Sequence, residues 1–181
     1  KEPAAGADGD AGRTRWHWLQ DKPHASYLVT LVVGQFDVVE VGGPESKRPG
    51  LWMPVYGAPG TKETLAEAFA NTPEMVALFE RLFGEPYPWD KYAQVLVRNF
   101  QWGGMENTSA STLADRDVRG GEGGTDELIS HELAHQWMGD LITCKSWEHL
   151  WLNEGWATIA EALWAEHHEG EDGRAAYQAH V

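Results

Sequence analysis

Cysteine is almost absent from this chain of 181 residues, because Cys144 is the single example. One thiol cannot build a disulfide framework within the chain, and scarce cysteine is typical of a reducing compartment, so we expect a cytoplasmic protein. Long apolar runs are missing too, since the longest, YLVTLVVG, falls far short of the ~20 residues of a membrane span. We therefore predict that this chain contains no membrane span and that Cys144 lies in the core.

Basic residues are few: 14 lysines and arginines face 28 acidic residues, for a net charge of −14. This balance argues against nucleic acid as a partner, because phosphate binding requires a basic surface. Hydrophobic residues make up 42% of the chain, which allows a substantial core and argues against wholesale disorder. The 10 tryptophans could line a pocket or fill a core, and a core position is our prediction for each.

The sequence pattern changes after residue 57. Before that point, SYLVTLVVGQFDVVEV reads as two β-runs broken at Gly34, and LWMPVY reads as a further strand. After it, helical spacing begins, with Thr72 as the predicted N-cap of one helix and Gly84 as its stop. AQVLVRNF follows as a short strand. We predict an α+β chain in which residues 1–57 are all-β and residues 58–181 form a second, mixed domain.

The stretch DELISHELAHQWMGDL carries two histidines four residues apart, with a glutamate directly after the first. Its pattern predicts a helix over residues 125–138 that stops at Gly139. His131 and His135 then lie one turn apart on one face, where both imidazoles can reach one Zn²⁺ at ~2.0–2.1 Å. Glu132 lies beside that site and can hold a water molecule. Two surface histidines flanking a glutamate are the alternative, and they need no metal.

WLNEGWAT predicts a second helix from about Asn153, with Glu154 in its first turn. Two histidines and one carboxylate leave a fourth zinc position open, which is the catalytic arrangement, so Glu154 is the predicted third ligand. A first-turn acid that favours the helix dipole is the alternative. Glu161, two turns further on the same face, is predicted either to orient a ligating histidine or to be an exposed carboxylate.

Several stretches resemble one family of enzymes. HELAH is followed after eighteen residues by Glu154 in WLNEGWA, GGMEN occupies residues 103–107, and PYPWDKYAQVLV and LVVGQFDVVE lie upstream. In residue identity and spacing, these stretches resemble the zinc aminopeptidases of the aminopeptidase N family, of bacterial type, among the gluzincin metallopeptidases. The resemblance runs from about residue 16 to about residue 170. It implies the N-terminal part of a thermolysin-like catalytic domain, preceded by the end of an all-β domain.

The resemblance also implies an activity, a zinc-dependent aminopeptidase that hydrolyses the N-terminal peptide bond of peptides with a free N-terminus. One Zn²⁺ per chain would be bound by His131, His135 and Glu154, and it would lower the pKa of its water towards ~7. Glu132 is implied as the base that takes the proton of this water and passes it to the leaving amine.

GGMEN resembles the motif with which this family recognises the end of a peptide. Glu106 is implied to bind the α-amine, which is largely cationic at neutral pH. Gly103 and Gly104 lack side chains, so substrate backbone can come close to them. Met105 is expected at the pocket for the first side chain, and Asn107 completes the substrate-binding set. A Gly-rich turn with a solvated acid is the alternative for this segment.

The family also uses a tyrosine, well downstream of the second glutamate, to stabilise the oxyanion. Tyr177 lies too close to Glu154 to match it, so we expect the matching region beyond residue 181. We therefore expect this chain, as a fragment, to bind zinc and to turn over poorly or not at all. Two other readings stay open for the whole protein: another gluzincin hydrolase (an endopeptidase, or an enzyme with a non-peptide substrate) and a non-catalytic scaffold.

Overall fold

The computed structural model describes residues 17–118, 125–169 and the single positions 172, 173, 175 and 178. The longer elements, in chain order, are β1 (Asp37–Glu40), β2 (Pro54–Gly57), α1 (Lys62–Ala68), α2 (Thr72–Phe83), β3 (Ala93–Val97), β4 (Gly104–Met105), β5 (Ala110–Ala114), α3 (Thr125–Ala134) and α4 (Trp151–His168). Short 3-10 helices occupy Ser26–Leu28, Asp115–Asp117 and Trp147–His149. This mixture of helices and strands agrees with the predicted α+β class.

The strands form one five-stranded sheet in the order β1-β2-β3-β5-β4. The inner strands β2, β3 and β5 run parallel, while the edge strands β1 and β4 pair antiparallel with their neighbours. The connection from β2 to the parallel β3 runs through α1 and α2, as a parallel pair requires. β4 lies against α3, so the GGMEN segment and the histidine helix are neighbours in space.

An aromatic cluster anchors the chain just beyond α3. Trp137 is fully buried, and the rings of Phe79, Phe83 and Tyr87 surround it at centroid distances of 6.5, 5.5 and 5.4 Å. Its indole nitrogen donates to the carbonyl of Glu85 at 3.0 Å. Buried aromatic rings supply large apolar area together with directional contacts, so this cluster fixes the segment two residues after His135.

The sheet crosses the predicted boundary between residues 57 and 58. β2 lies on one side of this boundary and pairs with β3 on the other, with Val55 opposite Gln94. Residues 37–57 thus share a sheet with the later strands and a core with the following helices.

The first predicted β-run is wrong. Ser26–Leu28 is a 3-10 helix, and the residues from there to β1 have no regular structure. Leu31 and Val33 are 84% and 85% exposed. A β-branched run becomes a strand when a neighbouring strand pairs with it, and no described strand pairs with this one.

Three local predictions also need correction. The N-cap of α2 is Asn71 rather than Thr72, although Gly84 ends the helix in the left-handed conformation, with φ 70°, as predicted. α3 ends at Ala134 rather than at residue 138, because the chain leaves the helix to bury Trp137. Cys144 is half-buried beside a surface pocket and does not lie in the core.

Most of the described tryptophans are exposed, which contradicts the predicted core positions. The buried ones are Trp89, Trp137 and Trp164, and the exposed ones are Trp18, Trp52, Trp102, Trp147, Trp151 and Trp156. The loop around residue 120, the terminator expected at Gly170 and the position of Tyr177 lie outside the described residues. Across the described part of the chain, no helix combines the length and the apolar character needed to cross a membrane.

We expect Lys91 to make the stability of the fold depend on pH in the alkaline range. Its ammonium group donates to the carbonyl and hydroxyl oxygens of Ser109 at 2.7 and 3.3 Å, and burial lowers its pKa from 10.5 to about 8. Between these values Lys91 binds more protons in the unfolded chain than in the folded chain, so its contribution to stability rises with pH. The total gain is at most about 3 kcal/mol.

We expect the free energy of unfolding of the natural sequence to increase from pH 8 to pH 10 relative to that of Lys91→Met, whose side chain is unbranched and apolar. Denaturant titrations at three pH values measure this difference. Equal slopes in both proteins would show that Lys91 does not carry the effect.

Candidate active site

Three predicted ligand atoms meet between α3 and α4. The Nε2 atoms of His131 and His135 lie 3.1 Å apart, and Glu154 Oε2 lies 3.3 and 3.4 Å from them. A tetrahedral ion with ligands at ~2.0–2.1 Å separates those ligands by roughly 3.3–3.4 Å. The spacing of the three atoms therefore fits one zinc ion, and their nitrogen and oxygen chemistry suits that metal.

The other nitrogen of each imidazole is also engaged. His131 Nδ1 lies 2.5 Å from Oε1 of Glu161, and His135 Nδ1 lies 3.0 Å from the backbone oxygen of Met138. When each Nδ1 carries the ring proton and donates a hydrogen bond, the Nε2 of the same ring keeps its lone pair, which is directed towards Glu154. Of the two predictions made for Glu161, the structure favours the contact with a histidine over the exposed carboxylate.

The carboxylates near His131 and His135 favour positive charge on these two imidazoles. Burial alone would lower the pKa of His131, but hydrogen bonds to Glu154 and Glu161 raise it to about 10. Burial lowers the pKa of His135 too, but its bond to Glu154 and the charges of Glu106 and Glu132 together raise it. The two histidines in turn hold the pKa of Glu154 far below its usual range. A divalent cation supplies the charge that these groups favour.

Glu132 is buried beside the ligands and packs directly on Gly104. A Cβ placed on Gly104 would lie 2.1 Å from Oε1 of Glu132, which no real structure tolerates. Burial raises the pKa of Glu132 to about 7, with His131 and His135 acting in the opposite direction. Among the described residues, its Oε2 has no hydrogen-bond partner. Such a carboxyl group can accept and release a proton near neutral pH.

Gly104 was predicted to let substrate backbone approach, and the structure shows Glu132 in that space instead. Gly103 is less crowded, since a Cβ there would meet only Leu128 Cδ1 at 3.5 Å and Asp117 Oδ2 at 3.8 Å. Met105 pairs with Thr112 across β4 and β5 and is half-buried.

Glu106 lies in the loop between β4 and β5, and Gln136 holds that loop. The amide of Gln136 donates to the carbonyl of Glu106 at 3.1 Å and accepts from the backbone N–H of Ser109 at 2.7 Å. Because Gln136 directly follows His135, it couples the position of Glu106 to the end of α3. Gln136 was not predicted, because one sequence does not reveal which polar side chain after a helix is buried.

The side chain of Asn107 is buried and forms hydrogen bonds with other residues of the chain. Its amide donates to the carbonyl of Leu28 at 3.2 Å and accepts from Thr112 Oγ1 at 2.8 Å. The backbone N–H of Thr108 also donates to Leu28, at 3.2 Å. The structure thus makes Asn107 a link between the GGMEN segment and the 3-10 helix Ser26–Leu28.

Comparison with known proteins agrees with this arrangement. The profile of the Peptidase family M1 domain matches residues 67–180, which include the GGMEN segment, both histidines and Glu154. The chain belongs to peptidase family M1. It is 34% identical over 164 residues to the leukotriene A-4 hydrolase homolog of Botryotinia fuckeliana and, over the same length, to leucine aminopeptidase 2 of Sclerotinia sclerotiorum. It is 38% identical over 143 residues to aminopeptidase 2 of Candida albicans.

These alignments cover 86%, 86% and 74% of this M1 chain but only 23%, 24% and 15% of the relatives. The chain therefore spans about a quarter or less of the length of these relatives, and it includes the segment with all the predicted ligands.

Replacing Gly104 tests the packing against Glu132. We expect Gly104→Ala to destabilise the M1 chain by about 1–3 kcal/mol, because the buried carboxyl group must move. Gly103→Ala is the matched control and should change stability little, since its Cβ meets only ordinary contacts. Chemical denaturation of the two variants measures this. Equal effects would mean that the approach of Glu132 to Gly104 is not a constraint.

Glu161 should tune metal binding through His131. We expect Glu161→Gln to weaken zinc affinity by roughly 10–100-fold, because the amide keeps the shape but loses the charge that orients the imidazole. Glu166→Gln, at an exposed position of the same helix, is the control and should bind zinc like the natural chain. Competition with a chromogenic chelator measures both. An unchanged affinity in Glu161→Gln would leave its contact with His131 without a role in metal binding.

Proposed function

We propose that the parent protein is a zinc-dependent aminopeptidase that removes the first residue of peptides with a free N-terminus. The observation that carries this proposal is the triangle of His131 Nε2, His135 Nε2 and Glu154 Oε2, with sides of 3.1, 3.3 and 3.4 Å. Membership of peptidase family M1 and the relatives named aminopeptidases support the same class of reaction.

One zinc ion per chain would be held by His131, His135 and Glu154. When bound, zinc polarises the scissile carbonyl group and makes water acidic enough to act as a nucleophile near neutral pH. Three protein ligands leave a fourth position for water or substrate, as catalytic zinc sites do. Glu161 and the carbonyl of Met138 orient the two imidazoles.

Glu132 is the proton carrier of this mechanism. It follows His131 directly in sequence, and it packs against Gly104 at the edge of the GGMEN segment. A pKa of about 7, caused mainly by burial, lets Glu132 take a proton from water and give it to the leaving amine. The close contact with Gly104 restricts the carboxyl group to one side of the site.

Glu106 provides the recognition of the free N-terminus. It is buried, and the two hydrogen bonds of the Gln136 side chain fix its loop relative to the end of α3. An α-amine with a pKa near ~8 is largely cationic at neutral pH and complements this carboxylate. A blocked N-terminus leaves the carboxylate desolvated and without its counter-charge, so the site rejects it. The fixed distance from Glu106 to the ligands selects the first peptide bond.

We also propose the domain assignment that this function implies. Residues 58–181 are the N-terminal part of a thermolysin-like catalytic domain, and residues 1–57 are the end of a β-rich domain that contributes two strands to the same sheet. Because the chain spans only about a quarter of its fungal relatives, activity is to be measured on the parent protein.

A second candidate is a hydrolase of the same family with another type of substrate. It is favoured by two relatives at 34% and 35% identity that are named leukotriene A-4 hydrolase or its homolog. The requirement for a free amine separates the two candidates, since only an aminopeptidase depends on it.

The decisive experiment compares the parent protein with its Glu132→Gln variant. We expect close to one zinc per chain in both proteins and a loss of amino-acyl amide hydrolysis by about 100-fold or more in the variant, because the proton carrier is gone. Glu127→Gln, at an exposed position of the same helix, is the control and should keep its activity. An N-acetylated substrate is assayed in parallel and should not be cleaved.

Each contrary result has a distinct meaning. Hydrolysis unaffected by Glu132→Gln, or a parent without stoichiometric zinc, would overturn the mechanism. Equal cleavage of the acetylated substrate would favour an endopeptidase or another hydrolase. Zinc binding without hydrolysis of either substrate would favour a scaffold.

A further inference from the structure

Unpartnered polar atoms concentrate at one place in the interior. Eight buried side-chain nitrogen and oxygen atoms of the described residues lack a hydrogen-bond partner, and six of them belong to Tyr27, Thr108, Asp140 and Asn153. Asp140 and Asn153 are only 2% and 1% exposed, and each has both of its terminal side-chain atoms unpaired. Buried polar groups are almost always hydrogen-bonded, so such a cluster signals a ligand for these atoms.

The four side chains come from four separate segments that contact one another close to the proposed zinc ligands. Tyr27 belongs to the 3-10 helix Ser26–Leu28, and the N–H of Thr108 donates to the carbonyl of Leu28 at 3.2 Å. Asp140 follows the turn after α3, and its backbone N–H donates to the carbonyl of His135 at 3.0 Å. Asn153 lies across the same turn, where a Cβ on Gly139 would be 3.3 Å from its Nδ2.

Acidic side chains are concentrated at this place. Asp140 is buried, Glu106 and Glu132 disfavour its charged form, and the nearby Thr108 hydroxyl favours that form. Tyr27 interacts unfavourably with Glu106 and Asp140 as well. A buried carboxylate near two others of the same sign is strongly disfavoured unless a cation lies beside it.

We propose that Asp140, Thr108, Tyr27 and Asn153 bind one monovalent cation, of the class of Na⁺ or K⁺. All four side chains offer an oxygen atom, and hard cations prefer oxygen ligands, whereas the zinc ligands include two nitrogens. Only Asp140 contributes a formal charge among these four, which suits a single positive charge rather than two.

The same geometry accounts for the missing hydrogen bonds. Oxygen atoms around a hard cation at ~2.3–2.6 Å lie roughly 3.3–3.7 Å from each other, at or beyond hydrogen-bond distance. The ion joins the loop that carries Glu106, the turn after His135 and the first turn of α4. It therefore braces the amine-binding loop against both metal helices, and this role does not depend on the proposed peptidase activity.

The test measures the thermal unfolding of the zinc-loaded parent protein in sodium, potassium and choline chloride at equal ionic strength. A ligand that binds only the folded state raises the unfolding temperature with the logarithm of its concentration. We expect this rise with sodium or potassium and not with choline. Asp140→Asn, which keeps the shape and removes the charge, should lose the response. Asp115→Asn removes a half-exposed carboxylate and should keep it.

A second variant keeps the test decisive if Asp140→Asn does not fold. Tyr27→Phe removes one ligand oxygen but retains the edge-to-face packing on Trp147 at 5.0 Å. It should need a higher salt concentration for the same rise in unfolding temperature. Crystals grown in a rubidium salt should show an anomalous peak between Asp140 and Thr108.

Identical curves in sodium, potassium and choline chloride would overturn the proposal, because a site filled by water or a protonated Asp140 shows no ion specificity. An ion response that persists in Asp140→Asn, or a rubidium peak only elsewhere, would also overturn it.

Discussion

The balance of charge around two histidines is the constraint on which the rest of this structure depends. Five acidic side chains gather within a small volume beside them: Glu106, Glu132, Asp140, Glu154 and Glu161. Like charges in a partly buried site repel each other strongly, so the fold is compatible with them only when cations or protons share the space. The raised pKa values of both histidines express this constraint, whereas burial is the main cause of the raised pKa of Glu132.

The surrounding fold supplies rigidity at the points where charge is concentrated. Trp137 anchors the chain in an aromatic cluster directly after the histidine helix, and Gln136 ties the loop of Glu106 to the same turn. The edge strand β4 brings Gly104 against Glu132. Each contact is modest, but together they hold acid groups in positions that they would not adopt independently.

Most of the candidate site could be predicted from the sequence because its residues follow helical spacing. Two histidines one turn apart and a glutamate in a first turn can be read directly, and the structure brings His131, His135 and Glu154 together as predicted. Gln136 and Asp140 could not be predicted from the sequence, because neither belongs to a periodic pattern and burial of a polar side chain depends on remote segments. The first β-run failed for the same reason, since strand formation requires a partner elsewhere in the chain.

By itself, the sequence determined the α+β class, the two helices, the stop at Gly84 and the residues that are candidates for metal ligands, because local spacing and propensity specify these features. Only the tertiary structure decided that β2 and β3 share one sheet across the expected boundary. It also decided that Glu132 packs against Gly104, and that the polar side chains of Asp140 and Asn153 are buried. Those features depend on the packing of segments far apart in sequence, and no local pattern encodes such contacts.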